Sequence, residues 1–142
     1  MSVAEERLAA ALRAEHAAIY GYGAVGAHLD GAALTLAVQA EAAHRARRDA
    51  LVVRLTGAGA TPPPAEPAYT LPSPVTDATS ALKLALTIEE RTAVVRYAAL
   101  PDTTAADRTM AVEALSDCAV RATRSRRAAG VQPSTVPFPG KP

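Results

Sequence analysis

The stretch EAAHRARRDA, residues 41–50, sets Glu41 three residues before His44 and follows the pair with Arg45, Arg47 and Arg48. On a helix, residues three apart share a face, so a carboxylate and an imidazole converge on one spot. This Glu-x-x-His spacing is the one with which four-helix bundles hold pairs of iron or manganese ions. The arginines offer opposite chemistry. A guanidinium satisfies a carboxylate through two parallel hydrogen bonds, and its positive charge repels a metal cation. Which chemistry prevails depends on the groups that the other helices bring to the same height.

Further residues of chemical interest lie along the chain. His16 and Tyr20 form an i, i+4 pair, suited to a relay beside Glu15 or to a bond with a neighbouring helix or subunit. Tyr22 follows; it is a redox tyrosine if a metal is present, and otherwise a core tyrosine bonded to a buried acid. Glu89 and Glu90 stand together, with Arg96 seven residues after Glu89. The single cysteine, Cys118, has no histidine at a matching position on its own segment and reads as a small core residue. RATRSRR, 121–127, complements a helix C-terminus and reads as a solvated face. YGYGAVGAH, 20–28, places three glycines inside a helical pattern, where close helix approach or a kink explains them.

The elements that must position these groups are helices. Alanine dominates an apolar fraction of 49%, and aromatics supply only 4%. This suits closely packed helices and disfavours a sheet. Four amphipathic segments are expected: Val3 to about Leu29 behind a Ser2/Glu5 capping box, Asp30 to about Thr56, Thr76–Asp77 to Leu100, and the PDTT turn to Ala129. Gly57, Gly59 and Gly130 are the stop signals. Between the two hairpins, AGATPPPAEPAYTLPSPV carries six prolines and cannot be helical. At about 3.1 Å per residue it spans about 55–60 Å, more than the roughly 40 Å length of a 27-residue helix. It can therefore run the length of the bundle. The expected fold is all-α: a ferritin-like four-helix bundle over residues 1–130, with two antiparallel hairpins joined by a long Pro-rich crossover at 57–76 and an extended tail at 131–142.

On helical wheels, Glu15, Glu41 and Glu89 fall on the apolar stripes of the first three helices. His44, Arg45 and Arg48 join Glu41, and Arg96 lies at the margin of the third stripe. Glu90 falls on the polar side beside Lys83. The fourth stripe (Ala111, Val112, Leu115, Cys118, Ala119, Ala122) has no acid; Asp117 and Arg121 point away from it. A di-metal centre needs two single carboxylates and two Glu-x-x-His motifs, and here one motif is missing. Three inward arginines match three inward acids. The reading is a buried network of Glu15, His16, Tyr20, Tyr22, Glu41, His44, Arg45, Arg48, Glu89 and Arg96, with no metal or cofactor expected. Were iron or manganese bound, Glu15, Glu41, His44 and Glu89 would be the ligands of a metal-dependent oxidoreductase.

Net charge is +1, which argues against a nucleic-acid or membrane partner selected by a global field. One cysteine suits a reducing compartment, the acidic start MSVAEERLAA is unlike a signal peptide, and no 18-residue uncharged apolar run occurs. A cytoplasmic homodimer is expected, with small-residue helix faces and the His16–Tyr20 pair at its interface.

The segments AALRAEHAAIYGYGAVGAHL, AHRARRDAL, PAYTLPSPVTDATSALKLALTIEERTAVVRYAAL and VPFPG, in that order, resemble the DUF4439 family, ferritin-like domain proteins found mainly in actinobacteria. The resemblance covers nearly the whole chain. It implies a ferritin-like bundle of uncharacterised function. By motif it carries over Glu15, His16, Tyr20, His44, Arg45, Arg48, Asp49, Tyr69, Pro72, Asp77 and either Glu89 or Glu90. The wider ferritin-like group implies di-iron redox chemistry by fold analogy alone, and the fourth helix departs from that pattern. The reading is a binding or structural module rather than an enzyme.

Overall fold

The computed structural model describes residues 1–142 and contains helices without strands. Helix α1 spans Val3–Gly26, α2 Gly31–Gly57, α3 Ala78–Ala98 and α4 Ala105–Ala129; a 3-10 turn at Leu100–Asp102 precedes α4. The helix ends follow local chemistry. Ser2 Oγ accepts the Glu5 N–H while the Glu5 carboxylate accepts the Ser2 N–H at 2.8 Å, which satisfies two donors that a helix start leaves free. Asp77 and Ser80 do the same for α3. Gly130, at φ 71°, closes α4, and the Val131 N–H returns to the Arg126 carbonyl at 2.9 Å. Asp30 occupies the cap position of α2 but makes no side-chain cap bond. Helix α1 stops at Gly26, three residues before the expected Leu29.

α1 and α2 form one antiparallel hairpin, α3 and α4 the other. The crossover, residues 58–77, returns along the bundle against α1. Ala60 packs against the apolar cluster that holds Leu8, Leu12, Leu51 and Leu55, the Pro63 carbonyl accepts from His16 at 3.0 Å, and the Tyr69 ring lies 5.5 Å from that of Tyr20. Leu71 and Val75 then cover the far apolar cluster. Helix α3 therefore starts beside the end of α1 and runs antiparallel to it. Their approach is close: a Cβ on Gly21 would stand 2.6 Å from Ile88 Cδ1.

The apolar core is divided. One cluster joins Tyr22, Val25, Ala37, Leu84 and Ile88; a second joins Leu8, Leu12, Leu51 and Leu55. Buried polar residues of α1, α2 and α3 lie between them. α2 packs along α1 but meets α4 sparingly, across a seam bridged by Arg47–Asp117 and Arg54–Asp107. The expected stripes need correction here. Val38 is 56% exposed and Val112 45%, at the edges of stripes whose Ala37, Leu55, Ala111, Cys118 and Ala122 are buried as expected.

The tail does not trail into solvent. It folds back as a strap, with Ser134 O accepting from Arg126 at 3.4 Å and Gly140 against α3. Gly140 has φ +80°, and a Cβ there would stand 2.4 Å from the Ala93 carbonyl oxygen. Left-handed backbone costs a non-glycine residue about 1–2 kcal/mol, and the contact adds to it. Gly140→Ala is expected to raise cleavage of residues 134–141 by a nonspecific protease about tenfold while α1 stays intact. Unchanged protection in the strap would show that it is not held at Gly140.

Candidate functional site

The polar layer is built by one residue or two from each of three helices. α1 supplies Glu15 and, two turns on, Tyr22; α2 supplies His44; α3 supplies Glu89 and, two turns on, Arg96. Glu15, His44 and Glu89 are fully buried, and Arg96 is 2% exposed. His44 stands at the centre. Its Nδ1 lies 2.5 Å from Glu15 Oε2, and its Nε2 lies 2.8 and 3.1 Å from the two oxygens of Glu89. Arg96 Nη2 donates to the other oxygen of Glu15 at 2.8 Å. Tyr22 Oη donates to Glu89 Oε2 at 3.0 Å, and its ring stacks on His44 with centroids 5.5 Å apart.

Protonation follows from these contacts. Two ring nitrogens facing carboxylate oxygens are both satisfied only when both carry protons. Burial works against charge on His44, but hydrogen bonds and attraction from Glu15 and Glu89 outweigh it and lift the pKa from 6.5 to about 9. Burial also opposes ionisation of Glu15, yet His44 and Arg96 hold its carboxyl below the ordinary value. Burial and the charge of Glu89 push the Tyr22 hydroxyl well above its usual range. The cluster therefore holds two carboxylates, one imidazolium and one guanidinium, and its formal charges cancel. Buried ions in such a balance are stabilised by one another, while each alone would be strongly disfavoured.

α4 borders the layer with the Cys118 thiol, which accepts from Arg47 Nη1 at 3.8 Å. Burial and the nearby Glu89 push this thiol's pKa up, so it is a neutral neighbour.

Several expected members lie elsewhere. Glu41 pairs with Arg45 one turn on, at 3.1 Å in a solvent-facing position. Arg48 bonds Asp49 at 2.8 Å. His16 and Tyr20 meet the crossover of their own chain and so do not need a second subunit to cover them. Glu90, on the exposed side of α3 as expected, pairs with Arg126 of α4 at 3.0 Å. Arg47, expected outside, and Asp117, expected to point away, instead meet across the α2–α4 seam, where Arg121 also holds Asp117 at 2.8 Å. The run 121–127 is no simple solvated face, since Arg126 is 5% exposed. The signal for the seam was faint: Asp117 and Arg121 stand at i, i+4, and long arginines reach in from flanking positions.

The model of a domain of unknown function, DUF4439, matches residues 7–142. The chain belongs to the DUF4439 family. A solved structure, that of a conserved hypothetical protein from Mycobacterium tuberculosis, is 38% identical over 90% of this chain and 98% of that one, with a TM-score of 0.86. No curated protein matches.

Two outcomes are expected of this DUF4439 protein. Arg96→Met strands the Glu15 charge and should destabilise by about 3–5 kcal/mol, whereas Arg48→Met removes a surface pair and should change stability by less than about 1 kcal/mol; equal effects in urea unfolding would contradict the geometry. Stability should also depend on pH. His44 titrates higher in the folded chain than its ordinary 6.5, so its contribution is complete below about 6.5 and is lost as pH rises through about 9. The difference corresponds to about 3 kcal/mol. Glu15 titrates lower than usual, so its contribution falls away as pH drops below its ordinary 4.5. Urea unfolding at pH 6 and 9.5 checks the alkaline limb, which His44→Gln should flatten.

Proposed function

We propose that the protein is a non-catalytic binding or structural module on a ferritin-like bundle, with a closed salt-bridge network at the height where relatives of that fold would hold two metal ions. One observation carries the reading: both nitrogens of His44 face carboxylate oxygens, so neither offers a lone pair to a metal. The donor set points the same way. All four carboxylate oxygens of Glu15 and Glu89 accept hydrogen bonds. The one buried side-chain nitrogen or oxygen without a partner is Arg96 Nε, a donor. A missing cation would leave unsatisfied acceptors, and a missing acceptor is what a donor wants. Glu41 lies outside the layer, and α4 brings a thiol rather than an acid. These residues do not fit a di-metal centre.

The same reading keeps a homodimer, for which the outer face of α2 offers Val38 and Val53, 56% and 72% exposed. Light scattering at high concentration tests it, and a clean monomer removes it.

Metal analysis tests the network. Protein purified without chelator and without a metal-affinity tag should carry well under one iron, manganese or zinc ion per chain. Titration with iron(II) or manganese(II) at pH 7 should leave the melting temperature unchanged. One tightly held ion per chain, lost in both Glu15→Gln and Glu89→Gln, would replace this reading with a metal-dependent one.

A further inference from the structure

A cavity of about 630 Å³ opens between α3, α4 and the C-terminal strap. That volume lies within the roughly 300–1,000 Å³ of small-molecule sites. Glu89 and Cys118 line its inner end, so it reaches from solvent to the edge of the polar layer. Its walls and roof are apolar and wet. Val94 of α3, Val120 of α4, and Val136 and Phe138 of the strap are 44%, 48%, 41% and 73% exposed. Four of the ten large apolar side chains that the protein exposes thus face one cavity. Scattered exposure of such residues is ordinary, whereas a concentration of them marks a surface that something covers.

Charge gives the second observation. The acids at the cavity are neutralised within the protein, Glu89 by His44 and Glu90 by Arg126. Arg124, Arg127 and Lys141 also line it, and none of the three has a carboxylate within ion-pair distance. Lys141 Nζ lies 5.3 Å over the Phe138 ring, which couples a free cation to the aromatic roof. The roof is a built feature, since Gly140 takes a left-handed conformation to seat the strap against α3. An apolar enclosure with surplus positive charge at its rim matches a molecule of the opposite arrangement.

We propose that this cavity binds a small organic anion, with an apolar body under Phe138 and Val120 and one oxyanion group against Arg124, Arg127 and Lys141. Guanidinium groups recognise carboxylate and phosphate alike through paired donors, so the shared chemistry is the oxyanion. The inference goes beyond the network reading and does not depend on whether the polar layer holds a metal.

The test uses the full-length chain and the fluorescent sulfonate 1-anilinonaphthalene-8-sulfonate, with its uncharged relative N-phenyl-1-naphthylamine as the control. The sulfonate should saturate one site per folded chain. Its affinity should fall about tenfold in Arg124→Glu/Arg127→Glu, both exposed positions, in line with the loss of charge-assisted bonds, while the uncharged probe shifts little. Thr123→Trp, which fills the cavity, should remove binding of both. Decanoate and decyl phosphate should each displace the sulfonate, and their ratio ranks the two oxyanions. Affinity unchanged in the double arginine variant, or an uncharged probe bound as tightly as the sulfonate, would overturn the proposal. Either result leaves the metal analysis untouched.

Discussion

The position of His44 between Glu15 and Glu89 is the constraint on which the other arrangements rest. Each partner comes from a different helix, so the three side chains meet only when α1, α2 and α3 stand at one relative height. Alanine-rich faces alone do not set that height. Ala9, Ala11, Ala37, Ala40, Ala81 and Ala85 present nearly identical knobs, and sliding one helix by a turn replaces one small contact with another. A misplaced imidazolium between two carboxylates has no such substitute, because each shifted register strands a buried charge. The network thereby gives a soft interface a single register, as a buried polar position does in coiled coils.

The crossover follows from the same requirement. Glu15 meets Arg96 while Tyr22 meets Glu89, which requires α3 to run antiparallel to α1 and to start at its far end. This obliges the connection to travel the length of the bundle. Six prolines in 58–75 keep it extended, and His16 and Tyr20 of α1 receive it. Residues that looked like extra members of a reactive site are the surface on which this segment lies.

The helices, their caps and the span of the crossover were legible in the sequence because each rests on short-range chemistry: prolines, glycine stops, Ser2 with Glu5, Asp77 before α3. Glu15, His44 and Glu89 were legible as inward groups since ionisable residues on an apolar stripe need partners. What failed was the edge of the α2 stripe: Ala37, His44 and Leu55 are buried as expected, but Val38 is not. A wheel locates a face by contrast between sides, and α2 has little: Val38 and Val53 are exposed, while Ala37 and Ala40 are buried. An error of one position exchanges Arg48 for Arg47, and Glu41 with Arg45 for none. Arg96 lay at the margin of its stripe yet is the buried partner, because its long side chain carries the charge inward from the edge. The strap was legible as non-helical, but its docking depends on Gly140 meeting the α3 backbone, a contact that no periodicity records.

The fourth helix explains why the layer can be closed at all. Two carboxylates, one imidazolium and one guanidinium already sum to zero, and α4 adds Cys118, kept neutral by burial and by Glu89. An acid at that position would leave the interior with a surplus negative charge and a need for a cation, by protonation, by arginine or by metal. Instead, the charges of α4 stand one position away, where Asp117 takes Arg47 and Arg121 at the seam with α2. This seam is the thin side of the bundle, joined by ion pairs more than by apolar contact. It holds α2 to α4 while the buried network fixes α2 against α1 and α3. A neutral residue at 118 and an acid at 117 are thus parts of one solution: balance inside the bundle, and attraction at its least packed edge.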